Sequence, residues 1–182
     1  MSDSSAVAVF GSSQTDLDSR KWAEAEQVGR RLAEAGFAVI TGGYGGTMEA
    51  VSKGASEASG HVIGVTAPPL FPGRHNANPY VAELIETEGL ARRIGAIMER
   101  AEGIIALPGS IGTATELLMA WNINHIVRRN GGHHVPTVAI GQEWRTVAET
   151  LVSEIDAFPG DVHLASTPDE GVDWILDQLN FR

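Results

Sequence analysis

Short, largely apolar runs alternate with longer amphipathic stretches along the whole chain. The runs are Ala6-Val-Ala-Val-Phe10, Phe37-Ala-Val-Ile-Thr41, His61-Val-Ile-Gly-Val-Thr66, Gly103-Ile-Ile-Ala-Leu107, Val135-Pro-Thr-Val-Ala-Ile140 and Val162-His-Leu-Ala165. Their length and unbroken apolar character predict strands buried on both faces, as in a parallel sheet covered by helices. Between them, apolar residues recur at helical spacing. Trp22, Ala25, Val28, Leu32 and Ala33 predict a helix from about Asp18 to Ala35, stopped by Gly36, and Met48, Val51 and Ala55 predict a second that ends near Gly60. Further helices are expected over 90–100, 113–127, 144–155 and 169–179. Residues 67–80 hold Pro68, Pro69, Pro72 and Pro79 and are expected to form a loop.

Strands alternating with helices from end to end predict an α/β fold, a Rossmann-like doubly wound parallel sheet, in a single domain over 1–182. No repeat, low-complexity segment or linker divides the chain. At 182 residues and 43% hydrophobic content it carries enough apolar surface for one core.

Composition then narrows the chemistry. The net charge of −10 disfavours a broad surface for nucleic acid or anionic membrane. The absence of cysteine excludes disulfides, thiolate metal sites and a cysteine nucleophile. With a polar start to the chain and no apolar run near the ~20 residues of a membrane span, a cytoplasmic protein is expected. His133 and His134 lack a third ligand at useful spacing, so no metal site is expected.

In an open parallel sheet, ligands bind beyond the carboxyl ends of the strands where the strand order reverses. Three glycine-rich turns converge there: Gly11-Ser12-Ser13, Gly42 to Gly46, and Pro108-Gly-Ser-Ile-Gly112. Glycine admits close backbone approach and a helix N-terminus presents free N–H groups, an arrangement matched to phosphate. Each turn taken alone is equally well explained by strand-to-helix packing. None completes G-x-G-x-x-G, because Met48 stands where glycine is required, and no Gly-Lys pair exists for a P-loop. Near the cleft, Glu116 is expected in the first turn of its helix, where complementing the helix dipole is an equal alternative to chemistry. Arg92 and Arg93 lie on the preceding helix, and a solvated face is their simpler account.

Thr41-Gly-Gly-Tyr-Gly-Gly-Thr-Met-Glu-Ala50, followed by Lys53-Gly54-Ala55, and Pro108-Gly-Ser-Ile-Gly-Thr-Ala-Thr-Glu116 resemble the paired signatures of the LOG (Lonely Guy) family. The second signature of that family reads P-G-G-x-G-T-x-x-E, and only Ser110 departs from its fixed positions. Arg93 stands sixteen residues before Gly109, where the family carries an arginine, and Leu90 holds the apolar position three residues earlier. The resemblance runs from about Val7 to Ile140. It implies phosphoribohydrolase activity, in which the N-glycosidic bond of a nucleoside 5′-monophosphate (a cytokinin riboside monophosphate or AMP) is hydrolysed to free base and ribose 5-phosphate. By position it implies Arg93 and Glu116 as the catalytic pair, with Gly109, Ser110, Gly112 and Thr113 holding the phosphate and Gly42 and Gly43 lining the cleft. No cofactor is implied, and Arg93 is expected to hold Glu116 ionised. It further implies a homodimer, to which Met119, Trp121, Ile123 and Ile126 can offer apolar area unless they face the domain's own core. Ser110, and Thr115 where many relatives carry a second acid, leave open a non-catalytic nucleotide- or cofactor-binding carrier of the same fold. The older label of lysine decarboxylase for such proteins conflicts with the lysines: Lys21 is expected away from the strand ends and Lys53 two turns into a helix, neither placed to anchor pyridoxal.

Overall fold

A computed structural model describes residues 5–17, 19–73, 76–155 and 157–180. Its strands β1 (Ala6–Phe10), β2 (Ala38–Thr41), β3 (Val62–Thr66), β4 (Glu83–Glu86), β5 (Ala101–Ala106), β6 (Thr137–Ile140) and β7 (His163–Ala165) form one parallel sheet in the order β4-β3-β2-β1-β5-β6-β7. The helices are α1 (Arg20–Glu34), α2 (Thr47–Glu57), α3 (Leu90–Met98), α4 (Ile111–Arg129), α5 (Gln142–Ile155) and α6 (Pro168–Asn180). The order reverses between β1 and β5, as expected of a doubly wound sheet, so the turns leaving these strands flank the crevice.

The buried strands justify the apolar runs that predicted them. Along β1, Val7 and Val9 join the core beneath α1, α2 and α6, whereas Ala8 and Phe10 face Ile97 of α3 and Ala120 of α4. This two-sided burial is why the runs do not alternate with polar residues. A third cluster joins Trp121 of α4 to Trp144 and Ala148 of α5 over β5 and β6.

Strand β4 is absent from the sequence-based expectation. It is an edge strand of sequence Glu-Leu-Ile-Glu, largely exposed, and shows neither a long apolar run nor a buried face. Its register with β3 pairs Thr66 with Glu86. The start expected for α1, Asp18, lies outside the described residues; Ser19 caps the helix, accepting a hydrogen bond from the Trp22 amide at 3.2 Å. Helix α4 begins at Ile111, two residues earlier than expected.

Helices α1 and α2 approach until backbone meets backbone. A Cβ added at Gly54 would stand 1.8 Å from the Glu26 carbonyl oxygen, and one at Gly29 would stand 2.0 Å from that of Val51. Across this contact Lys53 reaches Glu26 of α1 at 2.8 Å, and along its own helix it reaches Glu57 at 3.3 Å. Although alanine is the better helix former by about 1 kcal/mol, the overlap dominates. Gly54→Ala is expected to lower stability by about 1–3 kcal/mol in urea denaturation, and an unchanged midpoint would contradict the close approach.

Candidate active-site cleft

The turns after β1, β2 and β5, together with α3 and α4, enclose a cleft of about 210 Å³. Its depth is set by Arg93, which points inward from α3 and is only 5% exposed, whereas neighbouring Arg92 lies in solvent. The Arg93 guanidinium is held on three sides. Its Nε donates to the Val65 carbonyl at the end of β3 at 2.8 Å, Nη1 donates to Glu116 Oε1 at 3.1 Å, and Nη2 lies 3.8 Å from Met48 Sδ. The Tyr44 ring sits 5.9 Å from its Cζ. Gly42 is what makes room: a Cβ there would fall 1.7 Å from Arg93 Nη2 and 2.5 Å from Met48 Sδ.

Glu116 occupies the second turn of α4, not the first, so the dipole-complement account for it falls away. It is 8% exposed. Burial pushes its carboxyl up to about 7, because desolvation outweighs the charge and hydrogen bond of Arg93, which both pull it down. The expectation that Arg93 holds Glu116 ionised is therefore corrected in direction: burial outweighs Arg93, and the carboxyl is raised, not lowered.

The first turn of α4 opens into the same space. Ser110 is its N-cap but its hydroxyl makes no capping hydrogen bond, so the first-turn amides stay open to a ligand. Thr113 is 2% exposed and its Oγ1 has no hydrogen-bond partner among the described residues, an arrangement that calls for a ligand or an ordered water. Gly109 permits this, since a Cβ there would lie 2.1 Å from Thr113 Oγ1. The loop is braced from below by Trp144, whose Nε1 donates to the Leu107 carbonyl at 3.1 Å.

Of the residues singled out in the sequence, Arg93, Glu116, Gly42, Ser110, Gly112 and Thr113 line one cleft. Gly109 and Gly43 do not. Gly109 belongs to a neighbouring polar groove, and Gly43 serves the turn, with φ +74° and a Cβ position 2.9 Å from Thr66 Cγ2. Among the lining residues that the sequence did not single out for the site are Tyr44, Met48 and Phe71. Tyr44 and Phe71 pack edge-to-face at 5.4 Å, and the one available signal was an aromatic residue inside each of two glycine- or proline-rich loops. Lys21 is also corrected: it lines a groove at the strand ends with Leu107, Pro108 and Gly141, although it does not line the cleft of Glu116. Among the described residues, no cluster of three or more His, Asp or Glu side chains is placed to hold a metal ion, and no helix is long and apolar enough to cross a membrane.

Fold and cleft together define a Rossmann-like α/β protein with a phosphate-type helix terminus beside a buried carboxylate–guanidinium pair. Residues 4–156 match the SLOG cluster4 family, and the chain belongs to it. A pyrimidine/purine nucleotide 5′-monophosphate nucleosidase of Escherichia coli strain K12 is 36% identical over 111 residues, covering 56% of this chain and 24% of that protein. A cytokinin riboside 5′-monophosphate phosphoribohydrolase of Mycobacterium marinum is 31% identical over 118 residues, covering 64% of this chain and 60% of that protein. The chain thus spans only a quarter to three fifths of the length of these relatives. Among solved structures, a molybdenum cofactor carrier protein of Chlamydomonas reinhardtii matches with a TM-score of 0.73 and 26% identity over 98% of this chain and 99% of that one.

The raised titration of Glu116 carries a stability consequence. Between about pH 4.5 and 7 the unfolded carboxyl has lost its proton while the folded one retains it, so the contribution of Glu116 to stability falls as pH rises through that window. Glu116→Gln cannot titrate. The stability of the wild type relative to Glu116→Gln is expected to decline from pH 4.5 to 8 in paired denaturation curves, and a flat difference would count against the burial shift.

Proposed function

We propose that the protein hydrolyses the N-glycosidic bond of nucleoside 5′-monophosphates, of the AMP or cytokinin riboside monophosphate type, giving free base and ribose 5-phosphate. The observation that carries this reading is the placement of Glu116, on its buried pair with Arg93, in the same cleft as the uncapped first turn of α4. The 5′-phosphate sits on the amides of Gly112 and Thr113, with the Ser110 and Thr113 hydroxyls as further donors and Gly109 shaping the loop; this sets C1′ of the ribose towards Glu116. Gly42 and Gly43 form the opposite wall and its turn.

Cleavage of the C1′–N bond passes through an oxocarbenium-like transition state, stabilised by the Glu116 carboxylate. Water forms the new C1′–O bond and releases its proton to Glu116, while the departing base keeps the bonding pair and takes up a proton from solvent, to which Glu116 then returns its own. A carboxyl poised near 7 can accept a proton in one step and return it in the next. Arg93, fixed by Val65, keeps the carboxylate oriented and balances its charge. No cofactor is required. The same reading takes the protein to act in the cytoplasm as a homodimer. Leu118, Met119 and Ile126 of α4 are exposed and suit an interface, whereas Trp121 faces the domain's own core.

The full-length likeness to the Chlamydomonas carrier supports a second reading, a nucleotide- or cofactor-binding carrier without turnover. The two readings separate on one experiment. Incubation with AMP and a cytokinin riboside monophosphate is expected to release base and ribose 5-phosphate, and Glu116→Ala to lower kcat by roughly 10²–10⁴-fold while retaining binding. Ligand-dependent thermal stabilisation with no released base would overturn the hydrolase in favour of the carrier. Because Glu116 must be ionised at the start of the reaction, kcat/KM is expected to rise with pH through about 7 and then level. A pH-independent rate across that range would remove Glu116 from the role of proton acceptor.

A further inference from the structure

A second pocket, of about 190 Å³, lies beside the cleft and shares Tyr44 with it. Thr66, Pro68, Leu84 and Glu86 also line it. The two spaces are built on one strand end: the Val65 carbonyl anchors Arg93 in the cleft, and the next residue, Thr66, forms part of the second pocket. Tyr44 is held between them by its hydroxyl, which accepts from the Ala67 amide at 3.0 Å.

Two polar side chains at this pocket have no partner among the described residues. Thr66 is 2% exposed, and its Oγ1 has no hydrogen-bond partner among the described residues. A buried hydroxyl left unpaired is unfavourable, and such groups in native proteins mark a missing ligand or water. Beside it stands Glu86, its register partner on β4, which forms no salt bridge with any described residue. Two residues earlier on the same face of β4, Leu84 is 48% exposed. A hydroxyl, an unpaired carboxylate and a bare leucine surface thus border one small pocket next to the proposed ribose phosphate site.

We propose that this pocket is the base-recognition subsite, and that it selects nucleobases bearing an exocyclic amino group over their oxo counterparts. The inference rests on the nucleoside monophosphate reading above and extends it to the specificity of that site. The base ring lies against Leu84 and Tyr44, and the Glu86 carboxylate accepts from the amino N–H. The Thr66 hydroxyl pairs with the adjacent ring nitrogen, donating to it in adenine or cytosine and accepting from the N–H that hypoxanthine or uracil carries there. A carboxylate accepts hydrogen bonds only, so it opposes the carbonyl that uracil or hypoxanthine places where cytosine or adenine carries NH₂. This makes Glu86 the discriminating group, and Thr66 the one that supports any base.

The test measures equilibrium affinities for AMP, IMP, CMP, UMP and ribose 5-phosphate in a Glu116→Gln background, which prevents turnover. Binding is expected to favour AMP over IMP and CMP over UMP by roughly tenfold, the scale of one hydrogen bond to a charged group. Glu86→Gln is expected to bring both ratios close to one, since an amide both donates and accepts. Thr66→Val, which keeps the shape but removes the hydroxyl, should weaken all four nucleotides several-fold. Neither change should alter the affinity for ribose 5-phosphate, which has no base. Ratios that survive Glu86→Gln, or a parallel loss of ribose 5-phosphate binding, would overturn the subsite. If ribose 5-phosphate binds and the wild-type pocket shows no preference, the subsite alone fails. If neither nucleotide nor ribose 5-phosphate binds, the reading of the cleft fails with it.

Discussion

The buried ion pair between Arg93 and Glu116 is the constraint around which the carboxyl end of the sheet is arranged. Removing both charges from water is expensive, and a buried pair of this kind is seldom a source of net stability. The surroundings bear this out, because desolvation of Glu116 outweighs what Arg93 returns to it. What the pair does achieve is placement. The Val65 carbonyl, Met48 and Tyr44 fix the guanidinium, the guanidinium fixes one oxygen of the carboxylate, and Glu116 is held against the open turn of α4. Gly42 is a condition of this arrangement, since any side chain there occupies the space of Arg93 Nη2.

The phosphate site proposed above is compatible with an acidic protein that has only two lysines, because backbone amides at a helix terminus need no basic surface. The turn that forms it relies on two small residues. Gly109 is bare so that Thr113 can sit beneath it with its hydroxyl unpaired. Ser110 caps the helix in extended geometry without tying its hydroxyl to the backbone. The position where this chain departs from the P-G-G-x-G-T-x-x-E pattern therefore lines the cleft and leaves its helix N-terminus open.

Much of the architecture was legible in advance, and the errors have physical causes. Among the described strands, β1, β2, β3, β5 and β6 announce themselves because burial on both faces forces a largely apolar run, and the partly buried edge strand β7 still shows in Val162, Leu164 and Ala165. Strand β4 does not, since an edge strand with exposed Glu83, Leu84 and Glu86 has no such demand on its sequence. Glu116 moved from the first to the second turn of α4 because Ser110, not a later residue, is the cap, and cap geometry is decided by the preceding loop. Lys21 was misplaced because the first turn of a helix that follows a strand returns to the strand's carboxyl end, whatever the helix carries further on. Tyr44 and Phe71 line the cleft from loops 27 positions apart, which no spacing rule connects.

The sequence by itself determined the class of fold, the family, and the candidate pair Arg93 and Glu116, because burial periodicity and a contiguous loop signature are local properties of a chain. Tertiary structure alone decided that Arg93 is buried while Arg92 is solvated, that burial pushes the Glu116 carboxyl up, and that Gly42 serves Arg93 whereas Gly43 serves a turn. Each of these depends on what a side chain meets from an element distant in sequence: the desolvation around a carboxylate, the carbonyl at the end of another strand, the space left by a missing Cβ. Such quantities are set by the sum of neighbours in three dimensions, and a linear pattern does not carry them.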